Sequence, residues 1–169
     1  LGAVVTTREL ADAFDNGMEY FNTFGGNPVA CAVGNAVLEV IHEEKLTEQA
    51  RYVGDYLLDG LNRLKDRFYT IGDVRGKGLF LGIEFVKDPV DRVPNPSLAR
   101  YLVERLKQMK ILLSTDGPQK NVIKIKPPLA FSRENADQVV ASLEKVMEED
   151  FPLSFESRVR SGVRVQPES

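Results

Sequence analysis

The chain has 169 residues, of which 43% are hydrophobic and 28% charged, a balance typical of a folded globular protein. Its formal net charge of -3 comes from 22 basic and 25 acidic residues mixed along the sequence, which excludes the basic field that binds nucleic acid or an anionic membrane. One cysteine and one histidine exclude a disulfide framework and metal sites built from several such side chains, and they indicate an intracellular protein.

The beginning of the sequence indicates a piece of a longer protein. It starts without methionine, and the apolar run from Gly2 to Thr6 predicts a strand. A short helix is predicted over Arg8–Phe14, with Thr7 as its N-cap residue. One strand followed by two helices cannot make a sheet, so we expect residues 1–46 to complete a domain whose remainder lies outside this sequence.

A glycine-containing loop leads into the second helix. Residues 22–28 read NTFGGNP, in which Asn27 is an N-cap residue and Pro28 occupies the first turn of a long amphipathic helix. The hydroxyl, the two glycines and the helix start are compatible with a phosphate site, because amide N–H groups and the helix dipole favour anions there. An ordinary glycine-rich loop before a capped helix explains the same spacing.

The rest of the chain predicts a small α+β domain, residues 47–152, which is large enough to bury its own core. The predicted elements are a helix capped by Thr47, strands over residues 71–75 and 79–87, a helix from Leu98 to Met109, strands over residues 111–113 and 122–126, and a helix capped by Ser132. Residues 114–121 are predicted to form a polar loop, and residues 153–169 a flexible tail.

Three motifs, in this order, resemble the class III aminotransferases, the pyridoxal-phosphate family of fold type I. They are NTFGGNP at residues 22–28, DVRGKGL at residues 73–79 and KIKPPL at residues 124–129. The resemblance extends from Leu1 to about Glu149 and implies an α/β fold, with the end of a large cofactor-binding domain followed by a small α+β domain whose sheet is covered by helices. The segment that contains the third motif is similar to the phospholyase branch of this family.

The resemblance implies an enzyme that uses pyridoxal 5'-phosphate. Members of the phospholyase branch convert 5-phosphohydroxy-L-lysine or O-phosphoethanolamine to an aldehyde, ammonia and phosphate. The Schiff-base lysine of the family would lie upstream of Leu1, so we expect no catalytic residue in this chain and no activity from this chain alone. The resemblance also implies a homodimer or a dimer of dimers, and a mitochondrial location.

The resemblance assigns cofactor contacts to three residues. Thr23 matches the threonine whose hydroxyl holds the cofactor phosphate of the partner subunit across a dimer interface, and Asn22 and Gly25 lie beside it. Glycine suits this loop because a phosphate needs donors that approach without side chains in the way.

Lys124 departs from the family pattern. Class III aminotransferases that act on α-amino acids typically carry an arginine at this position, where it grips the substrate carboxylate with two hydrogen bonds, whereas a lysine is a point charge. The departure favours a phospholyase, whose substrate needs no carboxylate clamp beside the reacting carbon. We expect Lys124, alone or with Lys126, to hold an anionic substrate group. The alternative is that one of the two lysines points to solvent, since the pair is not expected to face one cleft.

Two other features near the motifs carry weaker expectations. Arg75 is expected to form a structural ion pair or a contact to backbone carbonyls, and the alternative is that it reaches a substrate. Ser114, Thr115 and Asp116 either approach the substrate phosphate or form a turn at Asp116 and Gly117.

Three functions therefore stay open. The first is the phospholyase, which acts on a phosphorylated amine. The second is an ordinary class III aminotransferase with pyruvate or glyoxylate as amino acceptor, which an arginine at position 124 would have favoured. The third is a non-catalytic dimerisation module. None of these three functions requires nucleic acid, a membrane or a metal ion.

Overall fold

The structure, a computed structural model, describes residue 2, residues 4–23 and residues 25–151. The chain divides into two compact units, Leu1–Thr47 and Glu48–Ser169. The predicted flexible tail, residues 153–169, lies outside the described residues. That the first unit is the end of a larger domain stays a prediction.

The first unit contains two helices, α1 (Arg8–Phe14) and α2 (Pro28–Glu43), and both predicted helices are confirmed. The side chain of Asn27 accepts the N–H of Ala30 at 2.9 Å, which is the expected N-cap contact. Thr7 makes no such hydrogen bond. The predicted strand over residues 2–6 is wrong for the described residues there, because a strand requires a partner and the described part of this unit contains no other strand.

The apolar side chains of α2 lie at the surface of the first unit. Val29, Val33 and Val37 are 75%, 59% and 52% exposed, and no residue of α2 is buried. An apolar helix face is stabilised when another element covers it. Within the described part of this unit, no element covers this face of α2.

The second unit is an α+β domain with helices covering its sheet, as predicted. Its helices are α3 (Leu46–Arg67), α4 (Pro96–Gln108) and α5 (Arg133–Asp150), and its strands are β1 (Ile71–Lys77), β2 (Phe80–Phe85), β3 (Ser114–Asp116) and β4 (Val122–Ile125). The strands form one antiparallel sheet in the order β1-β2-β4-β3, so β1 and β3 are its edges. The register of β1 against β2 shifts between Ile71 and Asp73.

Several predicted boundaries are wrong; β1, for example, continues to Lys77, and β2 ends at Phe85. The third strand covers Ser114–Asp116, inside the predicted loop, and not residues 111–113. All three residues of this strand are polar, with Ser114 and Asp116 facing away from the core, and a short run of polar residues is typical of a loop in the sequence. Helix α3 begins at Leu46, so Thr47 lies inside the helix and does not cap it. The Ser132 cap of α5 is confirmed.

The core lies between one face of the sheet and the helices α3, α4 and α5. Ile83 and Phe85 on β2 and Ile123 on β4 are at most 1% exposed, and they belong to one cluster with Leu57, Leu102 and Leu143 of the three helices. Because side chains alternate along a strand, the residues between these point away from the core. The outer face of the sheet consists of Asp73, Arg75, Gly82, Glu84, Ser114, Asp116, Val122 and Lys124.

Candidate functional site

Charged side chains form a network of hydrogen bonds and ion pairs on the outer face, on the β1 side of the sheet. Nη1 of Arg75 donates to Oδ2 of Asp73 at 2.8 Å and to Oε2 of Glu84 at 2.7 Å, and Nζ of Lys65 lies 3.6 Å from Oδ1 of Asp73. Burial alone would raise the pKa of Asp73, but the hydrogen bond from Arg75 and the nearby Lys65 charge lower it overall. The expected structural ion pair of Arg75 is confirmed.

Lys124 lies on the β3 side of the outer face. Its Nζ donates to Oδ2 of Asp116 at 2.5 Å, and the two side chains are 33% and 50% exposed. Its cross-strand neighbours are Gly82 on β2 and Ser114 on β3. A Cβ at Gly82 would lie 3.1 Å from Cγ1 of Val122, so the Val122 side chain packs against the β2 backbone at this glycine. Asp116 is the last residue of β3, and the expected turn begins directly after it, at Gly117, whose carbonyl accepts the N–H of Lys120 at 3.1 Å.

The carboxylate of Asp116 is held on both oxygens. Its Oδ1 accepts the backbone N–H of Gly117 at 2.8 Å, while Oδ2 accepts from Lys124. The hydrogen bond from Lys124, followed by that from Gly117, lowers the pKa of Asp116 below its ordinary value. The carboxyl of Asp116 is therefore ionised at neutral pH.

Replacing Lys124 with methionine is expected to raise the pKa of Asp116, because the principal cause of its lowering is removed while the Gly117 bond remains. A carboxyl with a lowered folded-state pKa stabilises the fold above its unfolded pKa and loses that contribution as the pH falls through the folded value. The measurement is a carboxyl NMR titration of Asp116 in both proteins between about pH 2 and 6. Identical midpoints would show that the ion pair does not form in solution.

A cleft of about 560 Å³ lies beside the end of β4 and the first turns of α5. The described residues that line it include Lys110, Lys124 and Lys126 and no acidic side chain. The expectation that Lys124 and Lys126 cannot face one cleft is wrong, because side chains two residues apart on an extended chain point to the same side.

The predicted cofactor loop turns tightly before α2. The N–H of Gly25 donates to the carbonyl of Asn22 at 3.2 Å, and the side chain of Asn27 donates to the carbonyl of Thr23 at 3.4 Å. A Cβ at Gly25 would lie 3.2 Å from Cβ of Asn22, so this turn favours glycine. Because Asn27 also caps the helix, the geometry favours the ordinary capped helix over an anion site made by helix amides.

Of the three residues assigned to the cofactor, Thr23 presents its exposed side chain beside the tight turn made by Asn22 and Gly25. Their contacts with a cofactor stay predictions. Lys124 lies in the second unit, so the structure places the predicted cofactor residues and the predicted substrate residue in separate compact units.

The described residues contain no group of three histidine, cysteine, aspartate or glutamate side chains placed to hold a metal ion. Among the helices of this part of the chain, none has the length and apolar character needed to cross a membrane.

Comparison with known proteins gives a family and close relatives. Residues 1–147 match the aminotransferase class-III family. A Drosophila melanogaster protein named alanine–glyoxylate aminotransferase 2-like is 57% identical over 140 residues, which are 82% of this chain and 28% of that protein. A Caenorhabditis elegans protein named ethanolamine-phosphate phospho-lyase homolog 1 is 44% identical over 148 residues, which are 87% of this chain and 32% of that protein.

A solved structure is also similar. An Arthrobacter phospholyase in complex with phosphoethanolamine matches with a TM-score of 0.74 and 41% identity, over 83% of this chain and 33% of that one. The chain spans about a third of the length of the relatives it matches.

Proposed function

Since the chain belongs to the class-III aminotransferase family, we propose that it is part of a pyridoxal-phosphate-dependent phospholyase. The expected fold class, a small α+β domain of a fold type I enzyme, is confirmed by the match to solved structures of this kind. The proposed reaction converts a phosphorylated amine and water to an aldehyde, ammonia and phosphate. The observation that carries the proposal is Lys124, a single point charge where enzymes for α-amino acids have an arginine clamp.

The first unit supplies a suitable group for pyridoxal 5'-phosphate. An exposed threonine hydroxyl next to two glycines fits a phosphate oxygen, because it can donate a hydrogen bond without crowding. Thr23, with Asn22 and Gly25, would hold the cofactor phosphate of a partner subunit, so the proposal includes a homodimer. When bound, the cofactor supplies the electron sink that lets the carbon bearing the amine lose a proton.

In the second unit, Lys124 binds an anionic group of the substrate. Its side chain lies on the outer face of the sheet and lines the cleft. An ammonium has three donors, of which the structure shows one in use on Asp116. Two donors therefore remain for the substrate.

The proposal is tested with the full-length protein loaded with its cofactor. We expect 5-phosphohydroxy-L-lysine or O-phosphoethanolamine to yield inorganic phosphate and an aldehyde in equal amounts, with no amino acceptor present. Transfer of an amino group to pyruvate or glyoxylate without phosphate release would contradict the proposal and support the aminotransferase alternative. The absence of both activities would support a non-catalytic module.

Replacing Lys124 with alanine is expected to raise the KM for the preferred phosphorylated amine about tenfold or more, since a hydrogen bond to a charged group is lost. Lys120→Ala is the matched control, because this lysine is exposed on the same hairpin and does not line the cleft. Its KM should stay within about twofold of the original value. An unchanged KM for Lys124→Ala would remove this residue from the substrate site.

The cellular location follows the same resemblance, and we place the full-length enzyme in mitochondria. Fractionation of cells that express the full-length protein tests this part of the proposal independently of its activity.

A further inference from the structure

We propose that Lys110 and Lys126, together with Lys124, form the binding site for the phosphate group of the substrate. The inference rests on the phospholyase function proposed above and assigns further residues of the cleft to it. Lys124 contributes hydrogen-bond donors, whereas Lys110 and Lys126 contribute the net positive charge. Because phosphate is also a product of the proposed reaction, the same site holds inorganic phosphate.

The cleft lies where the pairing of β3 with β4 stops. The last pair of the ladder at this end is Ser114 with Lys124. Residues 110–113 and 126–128 belong to no strand, and both segments line the cleft. Pro127 and Pro128 have no N–H group, so the chain after β4 cannot continue the ladder. The KIKPPL motif therefore ends the sheet with its prolines and places its two lysines at the cleft.

The charge of the cleft matches that of a phosphate monoester. Asp116 does not line the cleft, but its carboxylate neutralises the ammonium of Lys124 at 2.5 Å. Among the described residues, neither Lys110 nor Lys126 forms an ion pair. The cleft therefore carries two uncompensated positive charges. A phosphate monoester carries about 1.5 to 2 negative charges at neutral pH.

The type and origin of the cationic residues also favour phosphate. A phosphate is tetrahedral and presents oxygens in several directions, whereas a carboxylate presents two oxygens in one plane, which suits the flat fork of an arginine. The ammonium of lysine is a compact point charge with three donors. Lys110 and Lys126 lie on different segments of the chain, so they can approach a phosphate from different directions.

Apolar side chains of the core form another part of the cleft lining. Ile125 and Val139 are 2% and 7% exposed, and Ile111, Leu113 and Phe131 pack against the same core cluster. Apolar groups beside an ammonium screen its charge less than water does, so the attraction for an anion is stronger there. The carbon chain of the substrate can contact these side chains while its phosphate binds the lysines. The volume of about 560 Å³ lies within the range of small-molecule sites.

The first measurement is the binding of inorganic phosphate to the full-length holoenzyme, followed by titration calorimetry at constant ionic strength. Lys110→Met and Lys126→Met are each expected to raise the Kd about tenfold, because a hydrogen bond to a charged group is lost. Lys110→Arg and Lys126→Arg keep the charge and should restore most of the affinity. Lys120→Met is the control, since this exposed lysine does not line the cleft, and its Kd should stay within about twofold.

The second measurement is steady-state kinetics with the phosphorylated amine that the original enzyme prefers. Lys110→Met and Lys126→Met should raise its KM about tenfold and change kcat much less, since these residues bind the phosphate before and during the reaction. The inhibition constant of inorganic phosphate, a competitive inhibitor, should rise in parallel. The cofactor also carries a phosphate ester, so its affinity is measured in each variant and should stay unchanged.

The outcomes separate the phosphate site from the proposed function. An unchanged phosphate Kd in both methionine variants, an equal rise in Lys120→Met, or a loss of cofactor affinity in Lys110→Met and Lys126→Met would overturn the site. If phosphate release from the amine continues in that case, the phospholyase stands without this site. If phosphate binding depends on the two lysines but neither phosphorylated amine releases phosphate, the proposed function fails, and with it the assignment of the site to a substrate.

Discussion

Replacing Gly54 with alanine is expected to destabilise the second unit by about 3 kcal/mol or more. Gly54 lies in the middle of α3, where the helix passes over the turn between β1 and β2. A Cβ at Gly54 would overlap the carbonyl group of Gly78 and lie 2.7 Å from its Cα. Gly78 is itself in the left-handed region, with a φ of 55°, so this backbone has little freedom to move away.

Gly60→Ala provides the matched control, because it makes the same change in the same helix. A Cβ at Gly60 would lie 2.9 Å from Cγ2 of Val140, a side-chain atom of a partly exposed residue, whereas the contact at Gly54 is with backbone. Alanine is also favoured over glycine within a helix by about 1 kcal/mol, which offsets part of the free-energy cost of the contact with Val140. Urea unfolding should show a large loss for Gly54→Ala and a change within about 1 kcal/mol for Gly60→Ala. Equal losses in the two variants would refute the backbone contact as the cause.

Replacing Phe85 with alanine is expected to cost about 3–5 kcal/mol of stability, because it leaves a cavity in the core. The side chain is 0% exposed and lies at the end of β2 within the main cluster. Its backbone carbonyl accepts from the N–H of Asn95 and from the side chain of Asn121. Neither hydrogen bond involves the aromatic ring, so the loss of stability in Phe85→Ala measures the packing of that ring.

Phe80→Ala removes the same atoms from the same strand. Phe80 is 60% exposed, so its loss should stay below about 1 kcal/mol. Thermal unfolding of the two variants gives the comparison. A similar fall in melting temperature for both would mean that the buried face of β2 is not the one described.

The helices could be predicted because their apolar residues recur at helical spacing and their caps are local. Asn27 and Ser132 each act within three residues of their own position, so the sequence contains the whole interaction. Strand β3 could not be predicted in the same way, since Ser114 and Asp116 face outward and only Thr115 faces the core side of the sheet.

The site was predictable in part. Lys124 was found from a motif, whereas its partner Asp116 depends on the register of β3 against β4, which pairs Ser114 with Lys124. That register could be proposed only once β3 was known to be a strand. The expected roles of Thr23, Asn22 and Gly25 rest on resemblance alone, because a site shared between two subunits would leave only part of its pattern in one chain.

The two edges of the sheet also bear on self-association. An open edge presents unpaired N–H and C=O groups, which can bond to the edge of another copy and start a growing stack. Here β3 has only three residues and is followed by Gly117. In β1, the register shift between Ile71 and Asp73 and the charged side chains of Asp73 and Arg75 interrupt the edge. Neither edge offers a long uninterrupted template, so the same polar residues that form the outer face also protect the domain from fibril-like pairing.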